Sequence, residues 1–199
     1  MKLVKNRKSI YAFIAAICII LITNCKDGAG EADYGFPLVY MPQADVNGVN
    51  NHYIVPGGDS LSTYNFKVSN GKLDIILGVA RAGKISNADG FSVDIKVLPN
   101  EANEVIASGE YENPMVLPAE MYQIPNKVTV EKGENIAAFY LSVDINQLNS
   151  SEYVEKNLIL AVGISNPTNN FELSKTNTSV VVVIDVVEIQ KIIKVLLNL

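Results

Sequence analysis

His52 is the only histidine among 199 residues, and tryptophan is absent. A serine, cysteine or metal mechanism that relies on imidazole therefore has one place to stand, beside Tyr53 at the start of an apolar run. No Gly-x-Ser-x-Gly elbow and no two-histidine spacing accompanies it. It reads as a half-exposed residue at a strand end, and no zinc site is expected. Asp74, Asp94, Glu110, Glu112 and Asp144 supply carboxylates, and glycoside hydrolysis needs two of these about 5 to 9 Å apart. Nothing in their spacing selects a pair. Asp74 and Asp94 sit at polar positions of otherwise apolar strands, the ordinary place of a solvated charge. Asp144-Ile145-Asn146 begins like a calcium loop but has no glycine at the sixth place, so an EF-hand fails. The reading is of a protein without catalytic residues, metal or cofactor, and a hydrolase built on an unrecognised acid pair is the least favoured alternative.

Cys25 has a clearer chemical destination. Lys2, Lys5, Arg7 and Lys8 precede an apolar run over 10–22, the charged and hydrophobic regions of an export signal. That run is shorter than the roughly 20 residues a membrane-crossing helix needs. Leu21-Ile22-Thr23-Asn24-Cys25 resembles a bacterial lipobox, with Asn24 in place of the usual small residue. Cys18 would leave too short an apolar core and reads as apolar filler. Residues 1–24 are thus expected to be a lipoprotein signal peptide, with Cys25 the acylated first residue of the mature chain. Each buried methylene of an acyl chain contributes about 0.8 kcal/mol, so several chains anchor stably where one does so only marginally. Residues 25–35, rich in Gly, Ala and acids, read as a flexible tether, and Lys26-Asp27 partly resembles a short surface-export signal. The implied location is the outer membrane, at the cell surface or on its periplasmic face.

With both cysteines assigned to the leader and its junction, the folded part has no disulfide or thiol site. Removing the leader's four cations from the 16 basic residues leaves 12 against 21 acidic, a charge of about −9 where the full chain has −5. Nucleic acid, which needs clustered Lys and Arg, is not expected as a partner. Sugar rings stack on aromatic faces, and without tryptophan that role falls to tyrosine. Tyr34, Tyr53, Tyr64 and Tyr111 are available. The ligand-binding candidates are Tyr111, Tyr53 and Tyr64, with Tyr111 foremost because Glu110-Tyr111-Glu112-Asn113 forms a polar connection where a ring need not be core.

The elements that must position these residues read as strands. Short apolar runs over 38–41, 52–55, 63–69, 73–80, 91–98, 127–130, 136–143, 157–164 and 179–187 are separated by Pro, Gly and Asn. Asn70-Gly71 between two such runs predicts a type I′ hairpin. Phe91, Val93, Ile95 and Val97 alternate with Ser92, Asp94 and Lys96, so that strand buries one face. Residues 127–130 are expected to pair with 136–143 across a loop containing Gly133. Residues 100–108 can form a helical turn or two. At the C-terminus Ile189, Ile192, Ile193 and Leu196 have helical spacing and predict a short amphipathic helix within the apolar segment 186–199. That helix either covers an open side of the domain or serves as a partner surface. The economical architecture is all-β: a two-layer antiparallel sandwich, Ig-like, forming a single domain over 36–199. A closed barrel is the competitor.

Val39-Tyr40-Met41-Pro42-Gln43-Ala44 is followed much later by Leu117-Pro118-Ala119, Tyr122, Val128-Thr129-Val130 and Lys132-Gly133-Glu134, then Val143-Asp144-Ile145, Leu148 and Tyr153. In these ordered elements, over about 35–187, the chain resembles a domain of unknown function found at the N-terminus of many Bacteroidetes surface lipoproteins. The resemblance implies a β-sandwich and often a polysaccharide-utilisation locus, where the domain precedes a glycan-binding or hydrolytic module. The expected function is a membrane-anchored, non-enzymatic binding or accessory module, with polysaccharide or an outer-membrane protein complex as its partner. The alternative is a structural or adhesion component that uses its C-terminal segment as a partner surface.

Overall fold

The computed structural model describes residues 37–45, 48–83 and 89–196. Cys25, the leader 1–24, the tether 25–35 and Tyr34 lie outside the described residues. Two six-stranded sheets face each other. The first runs β11 (Glu172–Leu173), β1 (Leu38–Tyr40), β4 (Lys72–Arg81), β9 (Ile136–Asp144), β7 (Tyr122–Gln123), with β3 (Phe66–Ser69) beside β4. The second runs β2 (His52–Val55), β12 (Ser179–Asp185), β10 (Asn157–Ser165), β5 (Phe91–Val97), β8 (Lys127–Val130), with β6 (Pro114–Val116) on β10. The expected two-layer, Ig-like sandwich is what forms, and the two sheets do not join into one closed barrel.

The core lies between the layers. Leu73, Ile75, Leu77 and Val79 of β4 meet Leu158, Leu160 and Val162 of β10 and Val180, Val182 and Ile184 of β12, all buried. At β5 the alternation holds, with Phe91, Val93 and Ile95 inside and the side chains between them outside. β10 and β12 are buried on both faces, because α1 (Pro99–Ser108) lies over Ile159, Ala161, Val181 and Val183. Two-sided burial is why 180–184 reads as an unbroken apolar run.

The Asn70-Gly71 hairpin is present, with φ of 49° and 74° and Ser69 opposite Lys72. The pairing expected between 127–130 and 136–143 is not. β8 pairs with β5, Phe91 opposite Val130, while β9 lies between β4 and β7 in the other sheet. The 131–135 connection crosses between layers, turning at Gly133 (φ 86°). Three pairings, β1 with β11, β2 with β12 and β6 with β10, are parallel. The run over 63–69 becomes strand only at Phe66, since the Thr63 hydroxyl instead accepts from the Asp59 and Ser60 amides at 3.1 and 3.0 Å.

Each residue of Pro42-Gln43-Ala44 has a separate task. Pro42 turns the chain out of β1 into a 3-10 turn, Pro42–Asp45, and Ala44 packs into the core. The Gly78 amide donates to Gln43 Oε1 at 3.0 Å, where the edge of β4 is left open between β1 and β3. α2 (Ile145–Leu148) follows β9. α3 (Val186–Leu196) buries Val186, Ile189 and Ile193 in the main core, and Gln190 Nε2 donates to the Leu148 carbonyl at 3.1 Å. The C-terminal segment thus covers the body of the sandwich. Burying such aliphatic side chains stabilises by about 1.5–3 kcal/mol each.

Candidate functional site

β2 is an edge strand, and side chains cap two of its outward backbone groups. The His52 amide donates to Asn50 Oδ1 at 3.1 Å, and Asn65 Nδ2 donates to the Ile54 carbonyl at 2.7 Å. Such capping protects an edge from pairing with another strand. On one side of β2 stands α1, which starts with Pro99 at its first turn and ends on Gly109 in the left-handed conformation, φ 72°. Ala102 is the buried residue of that helix, so its packing against the sheet sets the position of Glu101 and Glu104 on the same turn and of Glu110 just beyond the cap.

These segments converge on His52. The Tyr111 hydroxyl lies 2.8 Å from His52 Nδ1, Asn50 Nδ2 lies 3.1 Å away and Glu110 Oε1 3.4 Å. The two rings are tilted at 49°, with centroids 5.7 Å apart. The Tyr111 hydroxyl has one proton to donate, to Nδ1 or to Glu110; when it goes to Glu110, the tautomer with hydrogen on Nδ1 donates to the tyrosine oxygen. The imidazole is 9% exposed. Burial, then the charge of Glu110 and a hydrogen bond to it, push the Tyr111 hydroxyl up to about 12. It therefore remains a protonated donor at neutral pH. Tyr111 packs beside the apolar cluster under α1 rather than standing free.

Two open grooves meet at His52. One, of about 600 Å³, is lined by Asn50, Asn51, Glu101, Glu104, Ser108, Glu110 and Ser179, with Val105 and Val181 at its base. The other, of about 440 Å³, is lined by Tyr53, Ile54, Gly57, Gly58, Thr63 and Asn65. Burial pushes the Tyr53 hydroxyl above its usual value, against a hydrogen bond to Asn65. The glycines are required: Gly58 has φ 86°, and a Cβ there would lie 2.3 Å from the Thr63 carbonyl oxygen. Gly57 donates its amide to Asn65 Oδ1 at 2.7 Å.

Of the three tyrosines singled out above, Tyr111 reaches His52, while Tyr53, the next residue on β2, packs against the inter-sheet core and borders the smaller groove. Tyr64 does neither: it stacks on Phe66 at 5.1 Å, beside Leu61 and Leu196. Of the five acids singled out above, only Glu110 reaches the site. Asp74 accepts from the Ser69 and Ser142 hydroxyls at 2.7 and 2.5 Å, and Asp94 from Asn166 at 2.8 Å. Asp144 caps α2 by accepting the Asn146 amide at 2.9 Å, and Ile145 and Leu148 beyond it are core. The calcium-like start is thus a helix N-terminus. No cluster of three or more metal-ligating side chains occurs among the described residues. Asn50, Asn51, Glu101, Glu104 and Ser179 were not legible as site residues, because the topology gathers them from three distant segments. The one local signal was the spacing of Glu101 and Glu104, which puts both on neighbouring positions of a helix.

A family model described as a "-like, N-terminal domain" matches residues 47–171. The chain belongs to that family of N-terminal domains. The match takes in β2, α1 and Tyr111, and it falls within the stretch whose ordered motifs carry the resemblance described above. Among solved structures, this N-terminal domain is similar to a Bacteroides ovatus protein of unknown function at 12% identity and a TM-score of 0.52, over 74% of this chain and 51% of that one. It is also similar to a two-domain protein of unknown function from Bacteroides fragilis, at 14% identity and a TM-score of 0.48, over 74% of this chain and 45% of that one. A Bacteroides ovatus protein described as a candidate carbohydrate-binding protein matches at 14% identity and a TM-score of 0.45, over 75% of this chain and 37% of that one. The chain spans about half or less of the length of these proteins. At such identities the likeness bears on the fold alone. No curated protein matches the chain.

Proposed function

We propose that the protein is a lipid-anchored, non-enzymatic accessory module of the outer membrane that captures glycan on the surface around His52. One observation carries this reading: two grooves meet at a single, nearly buried imidazole, the smaller bordered by Tyr53 and the larger by a row of amides, hydroxyls and carboxylates. Sugars are bound by that mixture, an apolar ring face together with several short-range hydrogen-bonding groups. In this reading Glu101, Glu104 and Glu110 serve as hydrogen-bond acceptors for sugar hydroxyls, and the role is capture. Affinity gels and a glycan array with a broad polysaccharide panel test it. Retention of wild type on at least one polysaccharide, weakened in Tyr53→Ala and His52→Ala variants that remain folded, supports the reading. A folded protein with no retention on any member of the panel removes the glycan part, and release of reducing ends by the purified protein removes the non-enzymatic part.

A further inference from the structure

The lining of the larger groove carries a consequence for which glycans it accepts. Glu101, Glu104 and Glu110 all face it, and among the described residues neither groove is lined by Lys or Arg. Asn50 and Asn51 add amides, and Ser108 and Ser179 hydroxyls. His52 supplies an observation separate from the acids. Its side chain is nine-tenths buried and held through Nδ1, its other ring nitrogen makes no hydrogen bond among the described residues, and the ring borders both grooves. A polar atom fixed in this way is available to a ligand hydroxyl.

We infer that this groove selects saccharides without acid groups, and that a free amine on the sugar strengthens binding while a uronate or sulfate weakens it. The inference rests on the glycan reading above and adds its charge preference. The physical cause is short-range: a carboxylate brought within about 4 Å of one of these glutamates is repelled with no Lys or Arg in the described lining to offset it, and an ammonium in the same place is attracted. The effect falls with salt, since the Debye length is about 8 Å at physiological ionic strength.

The test uses the mature chain on an array carrying chitin-derived oligomers, chitosan oligomers and polygalacturonate oligomers, read at low and at 0.5 M salt. Binding to the neutral or amine-bearing oligomers, with polygalacturonate at least about tenfold weaker and the difference shrinking in salt, is the expected result. A Glu101→Gln, Glu104→Gln double variant keeps the fold, since Glu104 is exposed and Glu101 half-exposed; it should lose the preference for chitosan over the neutral oligomers. Polygalacturonate retained as strongly as the neutral oligomers, or a chitosan preference unchanged in the double variant, overturns the charge preference and leaves the glycan reading standing. No binding to these oligomers or to any member of the broader panel removes the glycan reading, and this inference with it.

Discussion

His52 is held through one ring nitrogen, so the geometry of the site depends on what occupies that nitrogen. Tyr111→Phe removes the 2.8 Å hydroxyl contact and leaves the ring packing in place. It should cost about 1 kcal/mol in urea unfolding and shift the His52 imidazole resonances in an NMR spectrum. The same hydroxyl gives the domain an alkaline limit. In the unfolded chain it ionises near 10, and in the folded one near about 12. Its contribution is therefore complete below about 10 and is lost as the pH rises through about 12. The unfolding midpoint should fall across that window in wild type and fall less in Tyr111→Phe; identical curves would remove the role assigned to burial. Gly58→Ala meets both a positive φ and the Thr63 carbonyl, and should destabilise by about 2–4 kcal/mol. At this scale the sequence singles out Tyr111 as a ring in a polar connection. Its partner was not legible, because His52 stands 59 positions away and only the pairing of β2 with β12 and the packing of α1 bring the two together.

Elements differ in how much of their placement is local. The Asn70-Gly71 turn, the period-two face of β5 and the helical spacing before Leu196 are written within a few residues each, and each is found where the pattern puts it. The crossing at 131–135 is not written that way. A five-residue connection with a glycine serves a hairpin and a change of sheet equally well, and what decides is that Val128 and Val130 complete the face beside Phe91 and Val93. The parallel pairings escape for a similar reason: their partners are joined by long stretches of chain with no local signal. α3 offers the clearest test of an element's role. Ile189→Ala or Ile193→Ala should each cost about 2–5 kcal/mol in chemical denaturation, while Val195→Asp, at a position 76% exposed, should stay within about 0.5 kcal/mol. Equal effects at all three would mean that the helix does not close the core. Gln43→Ala, which strands the Gly78 amide at the edge of β4, should cost about 1–2 kcal/mol.

For the molecule as a whole, the proposed anchor and the charge act in opposite directions. The net charge, −5 for the full chain and about −9 for a chain cut at the proposed leader, gives no electrostatic attraction to anionic lipid, and no helix among the described residues is long and apolar enough to cross a membrane. If the protein is held at a membrane as proposed, acyl chains on Cys25 must supply the affinity. That distinguishes it from a peripheral protein in two ways. High-salt washing should leave wild type in the membrane fraction, because no charge contact is there to be screened, whereas detergent should release it. Cys25→Ala should move the protein to the soluble fraction and abolish incorporation of radiolabelled palmitate, with the folded domain's unfolding midpoint unchanged, since the substituted residue lies outside Gly35–Leu199, the compact unit that contains the core. Equal labelling of wild type and Cys25→Ala would place the lipid elsewhere or remove it. Release of wild type by salt alone would replace the lipid anchor with a protein partner, and the groove around His52 would then have to be tested in that complex.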